Sequence, residues 1–336
     1  MHSFLITGYS TKNHPSLKTF SLCNDSLKQI NELDLLNPSF AYTYENLLFT
    51  INEIDDEAHI QMYLLENNQL LLLDTLTLEC GGLCYLSYSP KHHTLFGACY
   101  QTGHIFSVGV ADHQFTGIKS LFHLEPSPKD NISRAHCIHM DSHENYLYAV
   151  NIHTDQIYCY TVEDGSLSPS ETFPLLQLPS GNGPRHIIFH PTLSIGYIIT
   201  EYSNKIFVAA QNPSTGSLHI IQEVVTLPND YTEESYCSNC IISPNQKYLL
   251  AANRGHDSIT HFEILEDGTL STLGLYSCGG VWPRHIDCTN DGQFLMVCNQ
   301  KSNEVVIFDL DKNTSALGNI IKRIPFMVPS FVKELY

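Results

Sequence analysis

Tyr248-Leu249-Leu250-Ala251-Ala252-Asn253 is a short apolar run that ends on a polar residue, and its pattern is written repeatedly along this chain. The other copies are Leu47-Leu48-Phe49-Thr50-Ile51-Asn52, Leu95-Phe96-Gly97-Ala98-Cys99, Tyr146-Leu147-Tyr148-Ala149-Val150-Asn151, Gly196-Tyr197-Ile198-Ile199-Thr200 and Phe294-Leu295-Met296-Val297-Cys298-Asn299. A weaker one, Phe4-Leu5-Ile6-Thr7, opens the chain. Each is too short for a helix and fits a fully buried strand. With the last residue of each copy as an anchor, the gaps are 45, 47, 52, 49, 53 and 46 residues. A period of about 49 residues made of strands and turns is the mark of a β-propeller blade.

Two further strand-like runs follow each anchor, as in Ile259-Thr260-His261-Phe262-Glu263-Ile264 and Leu270-Ser271-Thr272-Leu273, with the turn Glu266-Asp267-Gly268 between them. Four strands per repeat and seven repeats fill the chain. The expected fold is all-β: a seven-bladed β-propeller of four-stranded antiparallel blades, with residues 1–336 in one domain. The first strand is expected to pair with strands near the C-terminus, because closing the ring removes exposed edges.

The chain has 336 residues, 43% of them hydrophobic, with 17 Lys and Arg against 35 Asp and Glu, a formal net charge of −18. That charge disfavours nucleic acid and acidic membranes as partners. No apolar run reaches the roughly 18 residues of a membrane-spanning helix. Met1-His2-Ser3-Phe4-Leu5-Ile6 has no basic stretch before a long apolar one, so a cytoplasmic protein is expected. The 11 cysteines read as reduced, small buried residues, and Cys237 and Cys240 lack a second pair at zinc spacing. No metal or cofactor is expected, and the oligomeric state is open.

There are only five arginines: Arg134, Arg185, Arg254, Arg284 and Arg323. The repeat phase places four of them. Fifteen residues before the anchor stand His136, Arg185 and Arg284; one residue after it stand Glu53, Tyr100, Ile152, Glu201, Arg254 and Gln300. The two positions lie about equally far from the hairpin turn. They should therefore meet across the strands at the open end of the hairpin. If that hairpin is innermost, His136, Arg185, Glu201, Arg254 and Arg284, with Arg134 beside them, surround one mouth of the central channel. An arginine fork suits phosphate or carboxylate, so the mouth should draw a small anion.

The mouth then offers His136 and Glu201 to handle protons and arginines to hold negative charge. Hydrolysis of a lactone needs those groups: a base for water, fixed cations for the oxyanion, an acid for the leaving alkoxide. No Gly-x-Ser-x-Gly elbow or Gly-rich phosphate loop points elsewhere.

At Gly181-Asn182-Gly183-Pro184-Arg185-His186, Asn253-Arg254-Gly255-His256-Asp257-Ser258 and Trp282-Pro283-Arg284-His285 the sequence resembles the seven-bladed propeller lactonase family, of the bacterial 6-phosphogluconolactonase and carboxy-muconate lactonizing type. Gly8-Tyr9-Ser10, Asn37-Pro38-Ser39-Phe40 and Asn52-Glu53 agree with it too. The resemblance implies His136, Arg185, Glu201 and Arg254 as catalytic residues. It also implies hydrolysis of 6-phosphogluconolactone to 6-phosphogluconate in the pentose phosphate pathway, without a metal. Arg134, His186, Asn239 and Arg284 are expected to contact the substrate. Departures are Arg134-Ala135-His136 where the family has Pro-His-x-His, and Cys99 where Asn is common. Competing readings are a lactone-forming cycloisomerase, a non-enzymatic propeller scaffold and a calcium-dependent sugar lactonase.

Overall fold

A computed structural model describes residues 1–12, 14–23 and 26–335. They form seven antiparallel sheets, and no helix occurs among the described residues. Blades 2 to 7 are written in chain order: Ala41–Leu78, Leu83–His123, Ala135–Gln177, Pro184–Val225, Tyr236–Ser277 and Pro283–Pro325, each bounded by its first and last strand. Blade 4 carries a short extra strand, Leu175–Gln177. The expected seven-bladed propeller is the fold observed.

Blade 1 is made from both ends of the chain. Pro329–Glu334 lies antiparallel to His2–Gly8, with Ile6 opposite Val332 and Thr7 opposite Phe331. His2–Gly8 then continues to Leu17–Cys23 and Ser26–Leu33. The C-terminal strand takes the innermost place, so the ring is closed by strand hydrogen bonds rather than left with two raw edges.

The first strand of each blade is the inner one. Ala135–Met140 packs between Leu83–Ser89 and Pro184–Phe189, and Pro283–Cys288 lies between Tyr236–Ile242 and Pro329–Glu334. The second strands are the repeats seen in the sequence. Thr94–Cys99, Ile195–Thr200 and Phe294–Asn299 are buried at every position, because both faces of a blade press on neighbouring blades. The outer strands alternate half-buried with exposed positions, as in Leu218–Val225, where Leu218 alone is buried. Tyr197 of blade 5 reaches across to the carbonyl of Gly268 on blade 6 at 2.9 Å, and Tyr148 makes the same reach from blade 4 to Gly216 on blade 5 at 2.6 Å.

The polar anchors have a structural duty. The Asn151, Asn253 and Asn299 amides donate to the carbonyls of Glu125, Thr226 and Cys278, in the segments that lead out of the previous blade or into their own. Cys99 replaces this amide, and its thiol lies 3.2 Å from the Cys80 sulfur.

Closure and outer surface should respond differently to truncation. Ile6→Ala removes a fully buried side chain beside the closing strand and is expected to cost about 2–5 kcal/mol in urea unfolding. Leu72→Ala, at a half-exposed outer position, should change stability by no more than about 0.5 kcal/mol.

Candidate active site

Near the head of most inner strands, pairing with the second strand slips. In blade 5 Pro184 pairs with Thr200 and His186 with Ile199, which leaves Arg185 unpaired. The same slip leaves His136 unpaired in blade 4, Arg284 in blade 7 and Cys84 in blade 3. In blade 6 it spans Ser238 and Asn239, and at the closing strand it falls on Ser330. A β-bulge re-aims the side chain of its extra residue. Here that residue leaves the alternation of the strand and joins the channel lining. Arg185 and Glu201 are neighbours as the sequence spacing predicts, but not as a cross-strand pair. Arg185 is the bulged residue and Glu201 lies one residue past the strand end.

A second device fixes these bulges. Four residues after the anchor the chain takes a left-handed turn at Gly103, Asp155, Asn204, Asp257 and Asn303, with φ between 53° and 69°. Gly, Asn and Asp carry that conformation at least cost. The Asp155 carboxylate accepts the amides of Gly181 and Gly183 at 2.7 and 2.6 Å, in the loop that delivers Arg185. Asp257 accepts the amide of Trp282 at 2.8 Å, two residues before Arg284, and Asn303 accepts that of Val328 before Ser330. Gly183 is itself left-handed at φ 61°, and a Cβ there would stand 2.2 Å from the Tyr202 ring.

Arg185 and Arg254 converge on one oxygen of Glu201. Arg185 Nε and Arg254 Nη2 each lie 3.0 Å from Glu201 Oε2, and both arginines are about 5% exposed. Arg185 Nη1 also donates to the Ser238 carbonyl and contacts His186 Nε2 at 2.8 Å. Arg254 donates to the carbonyls of Tyr236 and Cys237. Burial, then the charge of Arg254, draws the Arg185 guanidinium down to about 10, so it stays charged at neutral pH. Burial raises Glu201, but the two guanidinium groups outweigh it and hold the carboxyl below its usual range.

Arg284 completes the cationic cluster from blade 7. Its Nη2 donates to the Tyr9 hydroxyl at 2.6 Å, and Tyr9 donates to Glu53 Oε2 at 2.8 Å. The Ser39 hydroxyl donates to the same Glu53 oxygen. Arg185 Nη2, Arg254 Nη1 and Arg284 Nη1 have no hydrogen-bond partner among the described residues. They are donors held in place and unspent.

His136 packs edge-on to Tyr100 at 5.7 Å and tilted to His186 at 5.3 Å. Its Nδ1 is buried and has no hydrogen-bond partner among the described residues. Burial first, then Arg185 and Arg284, holds it well below the usual histidine value, so the ring is neutral at neutral pH. His136, His186, Arg185, Arg284, Glu53 and Ser39 share a space of about 20 Å³, which has room for about one water. Next to it a chain of rings runs from blade to blade: Phe331 tilted to His285 at 4.5 Å and to Phe40 at 4.7 Å, Phe40 stacked on Tyr85 at 4.6 Å, and Tyr85 edge-on to His186 at 5.1 Å. A separate cavity of about 250 Å³ lies further along the inner strands, lined in part by Tyr42, Asp287 and Lys333.

The structure thus gathers His136, Arg185, His186, Glu201, Arg254 and Arg284. Two expected substrate contacts are otherwise employed. Arg134 donates to the carbonyls of Tyr100 and Gln101 and lies over the Tyr100 ring at 5.3 Å, tied to a blade 3 loop. Asn239 spends both ends of its amide on the backbone of Ile286, at 3.0 Å each, and so ties blade 6 to blade 7. Glu53 and Tyr9 were not among the expected site residues. Glu53 shares the phase of Glu201, which was the available signal. Among the described residues no three His, Cys, Asp or Glu side chains converge as a metal ligand set.

The family described as "Lactonase, 7-bladed beta-propeller" matches residues 3–334. A protein of Bacillus subtilis named 6-phosphogluconolactonase is 28% identical over 309 residues, covering 89% of this chain and 88% of its own. The solved structure of a periplasmic gluconolactonase of Pseudomonas aeruginosa superposes with a TM-score of 0.93 at 20% identity, covering 100% of this chain and 99% of its own. A structure from Lactobacillus plantarum gives 0.91 at 21% identity, over 100% and 99% of the two chains.

Two outcomes follow from this geometry. Asp155→Ala frees the loop before Arg185 and should lower any turnover by about 10–10²-fold while the fold persists, as displaced positioning groups do; steady-state kinetics with a thermal melt checks this. His136, His186 and His285 are all held below about 6.5, mainly by burial. As pH falls below about 6.5 the unfolded chain therefore binds protons that the native protein refuses. The contribution of these histidines to stability should be level above about pH 6.5 and decline as pH drops below it, read from urea midpoints between about pH 5 and 8.

Proposed function

The chain belongs to the lactonase family of seven-bladed β-propellers, and on that premise we propose that it hydrolyses a sugar lactone, 6-phosphogluconolactone, to the open acid. The observation that carries this reading is the set of unspent guanidinium donors on Arg185 and Arg284, which line a water-sized space, and on Arg254, which Glu201 ties to Arg185.

Attack of water on the ring carbonyl builds an oxyanion. Arg185 Nη2 and Arg254 Nη1 are the donors suited to it. Glu201, bound to both, acts as the clamp that fixes their directions. A carboxylate held this tightly by two cations is a weak base, so Glu201 orients rather than accepts the proton. Neutral His136 borders the same space and can accept a hydrogen bond from the incoming water. Held donors of this kind need no reorganisation as charge develops, which is where their catalytic value lies.

The phosphorylated substrate is supported by charge. The cluster holds three arginines against Glu201 and Glu53. At the rim Lys301 Nζ stands 3.1 Å from the Trp282 ring centroid, and Arg254 stands 5.7 Å from the same centroid. Lys301 has no carboxylate partner among the described residues. A phosphoryl group outside the ring carbonyl would meet these rim cations. The name of the Bacillus subtilis relative agrees with that substrate.

The test is decay of 6-phosphogluconolactone above its spontaneous rate. Arg185→Ala should lower kcat by about 10²–10³-fold, the loss typical of one removed oxyanion donor, with the melt still cooperative. Wild-type protein that leaves the lactone at its spontaneous rate overturns the reading. Closure of an unsaturated dicarboxylate to a lactone by the same protein would point to a cycloisomerase.

A further inference from the structure

We propose that Glu53 is the base that takes the proton from the attacking water, and that Tyr9 is the positioning residue that holds it there. The proposal rests on the lactone-hydrolysis reading and assigns the proton step within it.

Two carboxylates, Glu201 and Glu53, and three neutral imidazoles, His136, His186 and His285, stand at the mouth as possible proton acceptors. Glu201 is bound through Oε2 by two guanidinium groups. His136, His186 or His285, once protonated, would add a fourth buried cation beside three arginines. Glu53 has no such bar. No arginine touches it directly; Oε2 accepts from Tyr9 and Ser39, and Oε1 has no hydrogen-bond partner among the described residues. It lines the water-sized space together with His136, Arg185 and Arg284. Its place in the fold repeats that of Glu201, one residue past the anchor, three blades further round the ring. The two carboxylates thus stand nearly opposite across the channel, one committed to the arginines and one free.

Tyr9 joins the free carboxylate to the cationic cluster. It donates to Glu53 at 2.8 Å and accepts from Arg284 at 2.6 Å. Burial pushes the phenol up to about 12, so it remains a donor across the neutral range. The groups that face Glu53 are Tyr9 from blade 1, Ser39 ahead of blade 2, Cys84 from blade 3 and Arg284 from blade 7, with His136, Arg185 and His285 around the same space.

The step balances. Glu53 takes one proton from water as the water oxygen bonds to the lactone carbonyl carbon, and the carbonyl electrons move onto the oxyanion. When the oxyanion collapses, the bond from the carbonyl carbon to the ring oxygen breaks. The departing alkoxide takes back the proton from Glu53. The products are the hydroxy acid and the original carboxylate, and no co-reactant beyond water is used.

The experiment compares full-length wild-type protein, Glu53→Gln, Glu53→Ala and Tyr9→Phe on 6-phosphogluconolactone, with a thermal melt of each. Glu53→Gln should lose about 10²–10⁴ in kcat with little change in KM, and should lose the acid-side limb of the kcat–pH profile. Added formate should restore part of the turnover of Glu53→Ala, which a merely structural role would not allow. Tyr9→Phe removes a donor to the charged carboxylate, so its acid limb should move to higher pH. The proposal is overturned if Glu53→Gln keeps kcat within about twofold, or if both Glu53 variants are folded, slow, deaf to formate and unchanged in pH profile. An inactive wild-type protein would instead defeat the hydrolase reading itself, so the two failures are separable.

Discussion

An inner strand that carries one residue more than its partner must send that residue out of the ladder, and this constraint organises the mouth of the channel. The bulges at Cys84, His136, Arg185, Ser238–Asn239, Arg284 and Ser330 fall at the same height on successive blades. A strand without the slip would point Arg185 or its neighbours into the packed face between two blades, where an unpaired guanidinium has no partner. The bulge sends it to the axis. The ring supplies the rest, because closure brings the bulged residues of blades distant in sequence to one small volume. Arg284 and Tyr9 are 275 residues apart and meet at 2.6 Å only because the C-terminal strand completes blade 1.

Electrostatics depend on the same placement. A protein of net charge −18 keeps its arginine cluster buried and spends its carboxylates mainly elsewhere. Burial first, and then the neighbouring arginine charges, lower Arg185 and Arg254 although Glu201 offsets part of this, while Tyr9, Glu53 and Glu201 outweigh burial at Arg284 and raise it. Breaking such a buried arrangement by removing one partner is costly, since a charge is left without compensation. The unspent guanidinium donors favour whatever anion enters the mouth.

The repeat period, the number of blades and the closing strand were all legible in the sequence, because buried second strands must be apolar throughout and must end on an anchoring polar group. The cluster of Arg185, Glu201, Arg254 and Arg284 was legible through its phase, although the physical reason differed. Equal distance from a turn suggested cross-strand pairing, whereas a one-residue slip does the aiming, and a slip leaves no mark in composition or periodicity. Arg134 and Asn239 looked available because their backbone partners, the Gln101 and Ile286 peptides, are remote in sequence. Glu53 escaped selection for the opposite reason. Its partner Tyr9 and the Arg284 that binds Tyr9 come from the two ends of the chain, and only the closed ring puts them together.

On the proposed hydrolysis, the product poses a harder problem than the substrate. Ring opening turns a neutral carbonyl into a carboxylate beside two guanidinium groups, an arrangement that would hold the product more tightly than the lactone. Glu201 answers this by binding both arginines at once. Its Oε2 already occupies one donor of each, so an incoming carboxylate meets cations that are half neutralised and loses the bidentate grip a free arginine would give. The oxyanion of the transition state needs only single donors, and those are the ones left unspent. The same carboxylate that weakens the arginines as anion binders therefore sharpens their preference for the transition state over the product.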